Sequence, residues 1–193
     1  MAELGKLEYY LLAINVIGAL VYLINMLLYR HTARGQIDVV VTIVSLLGGS
    51  AGMLLMILLF DRKAEKENMM SRVFIICVFV IQVIVLLIFK GHHAEHFTFA
   101  FWKFFAEHRI LLIYLGIMSL VTFIAFAIDK ANAKAHRSRI RIVTLLGLSF
   151  AGGSVGGLIS MYLFRHKTQK DYFTVGMPLI IVMQVVVLFY AMN

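Results

Sequence analysis

Proline and cysteine are almost missing from this sequence of 193 residues, with one of each. The single cysteine, Cys77, excludes a disulfide within the chain and any cysteine-based metal cluster. With so little proline and few polar linkers there is no room for a disordered tail or a second soluble domain. Charge is scarce too: 15% of residues are charged, against about 25% in a typical soluble domain. No Asp, Glu, Lys or Arg lies in the middle of a long apolar run, which argues against the intramembrane carboxylate that proton-coupled carriers need. No phosphate-binding loop, nucleophile elbow or metalloprotease motif occurs, and no cofactor is implied.

What is abundant is apolar surface. The chain is 62% hydrophobic, with a mean hydropathy of +0.92, and the excess calls for lipid rather than water as solvent. Six apolar runs reach the ~20 residues that a bilayer crossing requires: Glu8 to Tyr29, Ile37 to Phe60, Met70 to Phe89, Ile110 to Ile128, Ile140 to Phe164 and Tyr172 to Met192. The first is too long for the apolar stretch of a signal peptide and lacks a small-residue cleavage site, so it reads as an uncleaved helix. Backbone groups in lipid must be satisfied within the segment, so the class is all-α, a polytopic membrane protein with six transmembrane helices. The net charge of +8 sits between the runs. It reads as anchors and contacts to anionic lipid headgroups, and no soluble module is left to bind nucleic acid.

Between the third and fourth runs, Glu95 to Arg109 reads EHFTFAFWKFFAEHR. It is aromatic, interrupted by Lys103 and Glu107 and too short to span, which suits the membrane interface. The chain then divides into a first repeat (1–91), an interfacial connector (92–109) and a second repeat (110–193).

The repeat itself is visible in the letters. LLGGSAGMLLMILLFDRK (Leu46 to Lys63) and FAGGSVGGLISMYLFRHK (Phe150 to Lys167) share eight of eighteen positions without a gap. Each lies in the second helix of its half and is followed by a basic loop and a helix carrying one glutamine, Gln82 or Gln184. Three crossings per repeat would bring the second copy in from the opposite side, giving two inverted three-helix repeats. With the amino-terminal end inside, that topology places ten lysines and arginines inside and eight outside, a narrow vote for both termini in the cytoplasm of a bacterial inner-membrane protein.

Gly48, Gly49, Ser50 and Gly52, matched by Gly152, Gly153, Ser154 and Gly156, form small-residue stripes. Such stripes let helix backbones approach closely, and they predict a crossing of the second and fifth helices or a path lined by the two serines. Asn15, Asn25, Gln82 and Gln184 are the strong amides inside the runs. Arg62, Lys63, Asp129, Lys130, Arg165, His166, Lys167 and Lys170 cluster at run ends. Cations there either snorkel to the interface or bind phosphate and carboxylate groups. On straight helices, Asp129-Lys130 would share a face with Asp61-Arg62-Lys63, and Arg30 with Arg165-His166-Lys167. His92 and His96, at a spacing of four with Glu95 and His108 nearby, could hold a metal if that stretch is helical.

In the second half, IDKANAKAHRSRI, TLLGLSFAGGSVGG and MYLFRHKTQK together resemble the bacterial membrane family catalogued as domain of unknown function 1294. The matching residues are Asp129, Lys130, Gly152, Gly153, Gly156, Arg165, His166, Lys167, Thr168 and Lys170, within a span from Tyr114 to about Gln184. The family's proline and glutamate before the second helix are replaced by Arg141 and Ile142, and the first half reads as a degenerate copy. The resemblance implies a membrane protein and no particular activity.

These features lead to the expectation of a small transporter, channel or lipid translocator with an anionic preference. The alternatives are a non-transporting scaffold or regulatory subunit, and a surface enzyme acting on a phosphorylated lipid through His166. The expected partners are membrane lipids, and a homodimer is left open.

Overall fold

The computed structural model describes residues 5–31, 38–63, 65–91 and 98–193. Among them there is no strand, and six helices are long and apolar enough to cross a membrane by length and composition. Two compact units divide the chain, Met1–Leu86 and Leu87–Asn193.

The first unit holds α1 (Lys6–His31), α2 (Asp38–Phe60) and α3 (Met69–Phe89). The second holds the short α4 (Phe101–Glu107), then α5 (Arg109–Lys134), α6 (Ile142–Leu163) and α7 (Asp171–Met192). Charge placement agrees with the helix dipole: Glu8 lies in the first turn of α1, and Arg30 and His31 in its last. Large apolar side chains such as Leu20 and Ile24 on α1 or Leu120 and Ile124 on α5 point outward, as a lipid-facing surface requires.

The middle helix of each unit is broken. Gly48 has φ +116° and Gly152 has φ +111°, in the left-handed region where a side chain would be strained. At each glycine the chain turns back on itself, and the residue pairings show it. In the first unit Asn15 meets Gly52 and Tyr22 meets Asp61. In the second, Phe123 meets Ser160 and Asp129 meets His166. Partners advance together along both chains, so the arm after the break runs parallel to the first helix of its unit.

The other arm returns to the same end. Asp38, at the start of α2, accepts a hydrogen bond from Ser71 at 3.2 Å, while Asp61, just past the end of α2, is bonded by Asn68 and Arg72 of the same neighbourhood. In the second unit a single carboxylate reports both ends of α6: Asp129 takes the N–H of Ile140 at 2.8 Å and the ring of His166 at 2.9 Å. Each middle helix is therefore a helical hairpin. In α2 the arms are Asp38–Val44 (7 residues) and Ser50–Phe60 (11 residues). At about 1.5 Å rise per residue they are roughly 10 and 16 Å long, each well short of a ~30 Å hydrocarbon core.

The reversal corrects one expectation. A straight α6 would hold Asp129 and Arg165-His166-Lys167 at opposite faces. The turn at Gly152 puts Asp129 in contact with His166 and Lys167, and the turn at Gly48 likewise brings Arg30 to within 3.5 Å of Asp61.

Buried apolar groups fill the hairpins from inside. Tyr22, Val41, Met53, Ile57 and Ile75 form one cluster, drawn from α1, both arms of α2 and α3. In the second unit Phe126 of α5 packs edge-on against Phe173 of α7 with ring centroids 5.4 Å apart.

Candidate functional site

Breaking a helix frees backbone groups, and in a membrane protein each must find a partner within the chain. The two tips solve this in the same way. At the first, Gln82 of α3 donates its Nε2 to the carbonyls of Ser45 (2.7 Å) and Leu46 (3.2 Å), and its Oε1 accepts from the Ser50 hydroxyl. The Tyr10 hydroxyl donates to the Leu47 carbonyl at 2.7 Å. At the second, Gln184 of α7 donates to Ser149 (2.8 Å) and Phe150 (3.1 Å) and accepts from Ser154. Tyr114 donates to Ala151 at 2.7 Å. One glutamine and one tyrosine per unit thus bond three successive carbonyls at the turn.

The small residues after each turn serve the first helix of the same unit. A Cβ on Gly52 would lie 1.9 Å from the Asn15 carbonyl oxygen, and one on Gly156 would lie 1.8 Å from that of Ser119. Gly153 is equally closed, by the Thr122 hydroxyl at 1.9 Å, and Gly49 is tight, with Val44 at 2.9 Å and the Ile14 carbonyl oxygen at 3.0 Å. The close approach that the glycine spacing predicts is real within each unit, and its partner there is α1 or α5. The parallel run of the second arm along the first helix is the reason.

Below the second tip lies a cavity of about 340 Å³ between α5 and α7. Its walls are apolar, with Leu111, Leu115, Ile181 and Leu188 among them. Gly152, Ser154 and Gln184 of the tip region and Ser119 of α5 contribute the small and polar part of the lining. A hairpin that ends partway leaves no third helix beyond its tip, and the cavity adjoins that turn.

Where the hairpin arms start and finish, each unit buries one aspartate. Asp61 is 2% exposed. It accepts from Tyr22 at 2.7 Å and from Asn68 at 3.1 Å, and pairs with Arg72 at 3.2 Å. Burial alone would push its carboxyl up, but hydrogen bonds from Tyr29 and Tyr22 and the Arg72 guanidinium hold it below the usual carboxylate range. Asp129 is fully buried and pairs with Lys167 at 2.7 Å and His166 at 2.9 Å. Lys167 lies over the Phe173 ring, 4.9 Å from its centroid. Burial pushes the Lys167 ammonium below its usual value despite the opposing pull of Asp129. Arg165 and Lys167 both have positive φ, at +45° and +63°. These two left-handed residues set the path of the loop on either side of His166, each at a cost of about 1–2 kcal/mol.

The buried carboxylate sits on a different element in each unit. In the first unit it follows the hairpin and its cations are Arg72 on α3 and Arg30 on α1; in the second it lies on α5 and its cations follow the hairpin. Each arrangement ties three elements together at one end of its unit.

Of the residues singled out from the sequence, Asp129, His166 and Lys167 are brought together. Lys130 turns away from Asp129 and donates to the Phe164 carbonyl, closing the arm's end. Arg165 and Lys170 are exposed at the loop. Arg62 and Lys63 line a separate pocket in the first unit. His92 and His96 lie outside the described residues, and among the described residues no cluster of metal-ligating side chains occurs. Asp61, Arg72, Tyr10 and Tyr114 carry roles that composition and motif did not suggest. The matched position of the two tyrosines, each the same distance before its glycine motif, is a signal in the sequence that could have found them.

Fold and site define a multi-pass membrane protein built from hairpin-bearing helical units. The family described as "Protein of unknown function (DUF1294)" matches residues 119–173, which run from the cavity-facing Ser119 through the tip and the Asp129 cluster. The chain is also similar to "Uncharacterized protein YsdA" of Bacillus subtilis (strain 168), with 33% identity over 79 residues, 41% of this chain and 89% of that protein. The chain belongs to this family. That relative is less than half as long as this chain. No solved structure matches the chain.

Proposed function

We propose that this is a small translocator of an anionic amphiphile in a bacterial inner membrane, working through re-entrant hairpins. The observation that carries the reading is the pair of glycine turns, each placed partway along its unit with its polar groups collected at the tip. Irregular backbone at membrane depth is tolerated where protein buries it or where it lines a path, and broken helices are where transporters bind their cargo. The cavity beside the second tip is mostly apolar with a few polar groups, which suits a lipid-like molecule better than a bare ion.

The hairpins also set the membrane topology in this proposal. If α2 and α6 enter and leave on one side, each unit crosses twice, by α1 and α3 or by α5 and α7. The inversion expected above rested on three crossings per unit, and two leave it without a basis. Lys6, Lys90, Lys103 and Arg109 then lie on one side, and the other fourteen of the eighteen lysines and arginines on the other. The narrow ten-to-eight division becomes a strong bias, of the kind that marks a cytoplasmic face. Asp61, Asp129 and Arg109 would keep the sides first expected, the two aspartates facing the cytoplasm and Arg109 the outside, whereas Lys6 would lie outside, opposite to the first expectation.

A scaffold or regulatory subunit is the second reading. It is favoured by the tips themselves, whose freed carbonyls are already bonded and whose glycine faces are already filled. Reconstitution separates the two. In proteoliposomes carrying a fluorescent anionic lipid, the translocator exchanges lipid between leaflets faster than protein-free vesicles do, and Gly152→Leu abolishes the gain. Absence of lipid exchange together with absence of anion or cation flux contradicts it and leaves the scaffold.

A further inference from the structure

The two units treat their surface cations differently, and the difference locates a ligand site. In the second unit they are used internally. Lys130 donates to Phe164, while His166 and Lys167 hold Asp129. In the first unit the corresponding end of the hairpin opens into a pocket of about 470 Å³ lined by Tyr29, Arg30, Phe60, Arg62, Lys63 and Glu65, with Leu59 and Asp61 at its wall.

Two guanidiniums are pinned at this pocket by backbone carbonyls. Arg30 donates one NH2 to Phe60 at 3.0 Å, and Arg62 donates its Nε to Leu58 at 3.1 Å. Among the described residues, no hydrogen bond involves the terminal nitrogens of Arg62 or the ammonium of Lys63. Asp61 pairs with Arg30 at 3.5 Å and with Arg72 at 3.2 Å and accepts from Tyr22 and Asn68, and among the described residues it forms no ion pair with Arg62 or Lys63. Glu65 is the one exposed carboxylate in the lining, against three exposed cations. The result is a concave, cationic pocket with pre-oriented guanidinium forks and an apolar side formed by Leu59 and Phe60. Forked guanidiniums match the oxygens of phosphate, and basic pockets between helices at the cytoplasmic face receive lipid headgroups.

We propose that the Arg30–Arg62–Lys63 pocket binds a phosphate oxyanion, carried by an anionic lipid headgroup or by a soluble phosphate ester. The site deepens the preference for anionic amphiphiles and rests on that part of the functional reading. It is tested without transport, so binding and translocation fail separately.

The test is native mass spectrometry of the detergent-solubilised full chain with phosphatidylglycerol and phosphatidylethanolamine, with and without millimolar inorganic phosphate. The wild type retains phosphatidylglycerol in preference to phosphatidylethanolamine. Arg62→Ala combined with Lys63→Ala weakens that binding about tenfold or more, the scale expected for losing charge-assisted hydrogen bonds. Arg137→Ala, which removes an exposed cation outside the pocket, leaves it unchanged. An unaltered thermal unfolding curve for the double variant assigns the loss to the pocket rather than to folding. Displacement of the lipid by inorganic phosphate identifies a soluble phosphate as the natural occupant, and displacement only by short-chain phosphatidylglycerol identifies the lipid. Equal retention of the two lipids, or wild-type affinity in the double variant, overturns the proposal.

Discussion

Asp129 and His166 are 2.9 Å apart although 37 positions, including the whole of α6, separate them in sequence. A straight helix of that length would hold them far apart, so their contact records the reversal at Gly152. The contact also has energetic weight, because Asp129 is fully buried and shared with Lys167. Asp129→Ala strands a largely buried ammonium and should cost about 3 kcal/mol or more. Adding Lys167→Met should recover a substantial part, since the methionine would lie among the Phe126 and Phe173 rings that now surround the ammonium. Chemical unfolding of the two single variants and the double variant in detergent measures the coupling.

The glycines of the turn and of the arms should respond oppositely to alanine. Gly152 has φ +111°, and a Cβ there would meet the Leu115 side chain at 2.9 Å, whereas Gly147 on the first arm of α6 has ordinary helical geometry and open space. Gly152→Ala should destabilise by about 1–3 kcal/mol. Gly147→Ala should stabilise by roughly 0.5–1 kcal/mol. Thermal unfolding of both variants checks the pair.

Gln184 bonds the Ser149 and Phe150 carbonyls and the Ser154 hydroxyl at once. Gln184→Leu keeps the bulk and removes all three bonds. A loss of about 1–2 kcal/mol is expected, given the modest strength of polar contacts between membrane helices. Hydrogen exchange should also rise around the tip. An unchanged exchange pattern would mean that the tip does not depend on the glutamine.

Asp61 gives a pH dependence with a definite sign. Its carboxyl lies below the ordinary value of 3.8 in the folded chain. Stability from this group is fully present above the unfolded-state value and is lost as pH falls through the lower, folded one. Acid should therefore loosen the first unit below about pH 4. Asp61→Asn should be less stable at neutral pH and should lack this part of the acid dependence, as read from unfolding midpoints across the pH series.

The sequence showed the helical class, the membrane setting, the internal repeat and the membership in a family, all of which rest on composition and on local matches such as Gly-Gly-Ser-x-Gly. It did not show the reversal. Asp38–Phe60 and Ile142–Leu163 have the length and hydropathy of crossings, and hydropathy carries no information on direction. One glycine torsion decides whether such a stretch traverses or returns. What compensates the turn lies elsewhere in the chain, in Tyr10 and Gln82 for one tip and Tyr114 and Gln184 for the other. The glutamines were noticeable as lone amides in apolar helices, but their targets were not. The charged cluster was half legible: Asp129, His166 and Lys167 were singled out, whereas their mutual contact follows only from the hairpin.

The central claim is that each middle helix returns to the side it came from. Cysteine labelling tests it directly, in a Cys77→Ala background, because that buried thiol is the only native one. Single cysteines at His31 and Lys63 bracket α2, and those at Lys134 and Gln169 bracket α6. Lys6→Cys and Lys90→Cys report the opposite side. The account predicts that Lys6 and Lys90 react with a membrane-impermeant maleimide in intact spheroplasts, while the four bracketing positions react only after permeabilisation. Labelling of His31 and Lys63 from opposite sides of the membrane, or of Lys134 and Gln169 from opposite sides, would contradict it.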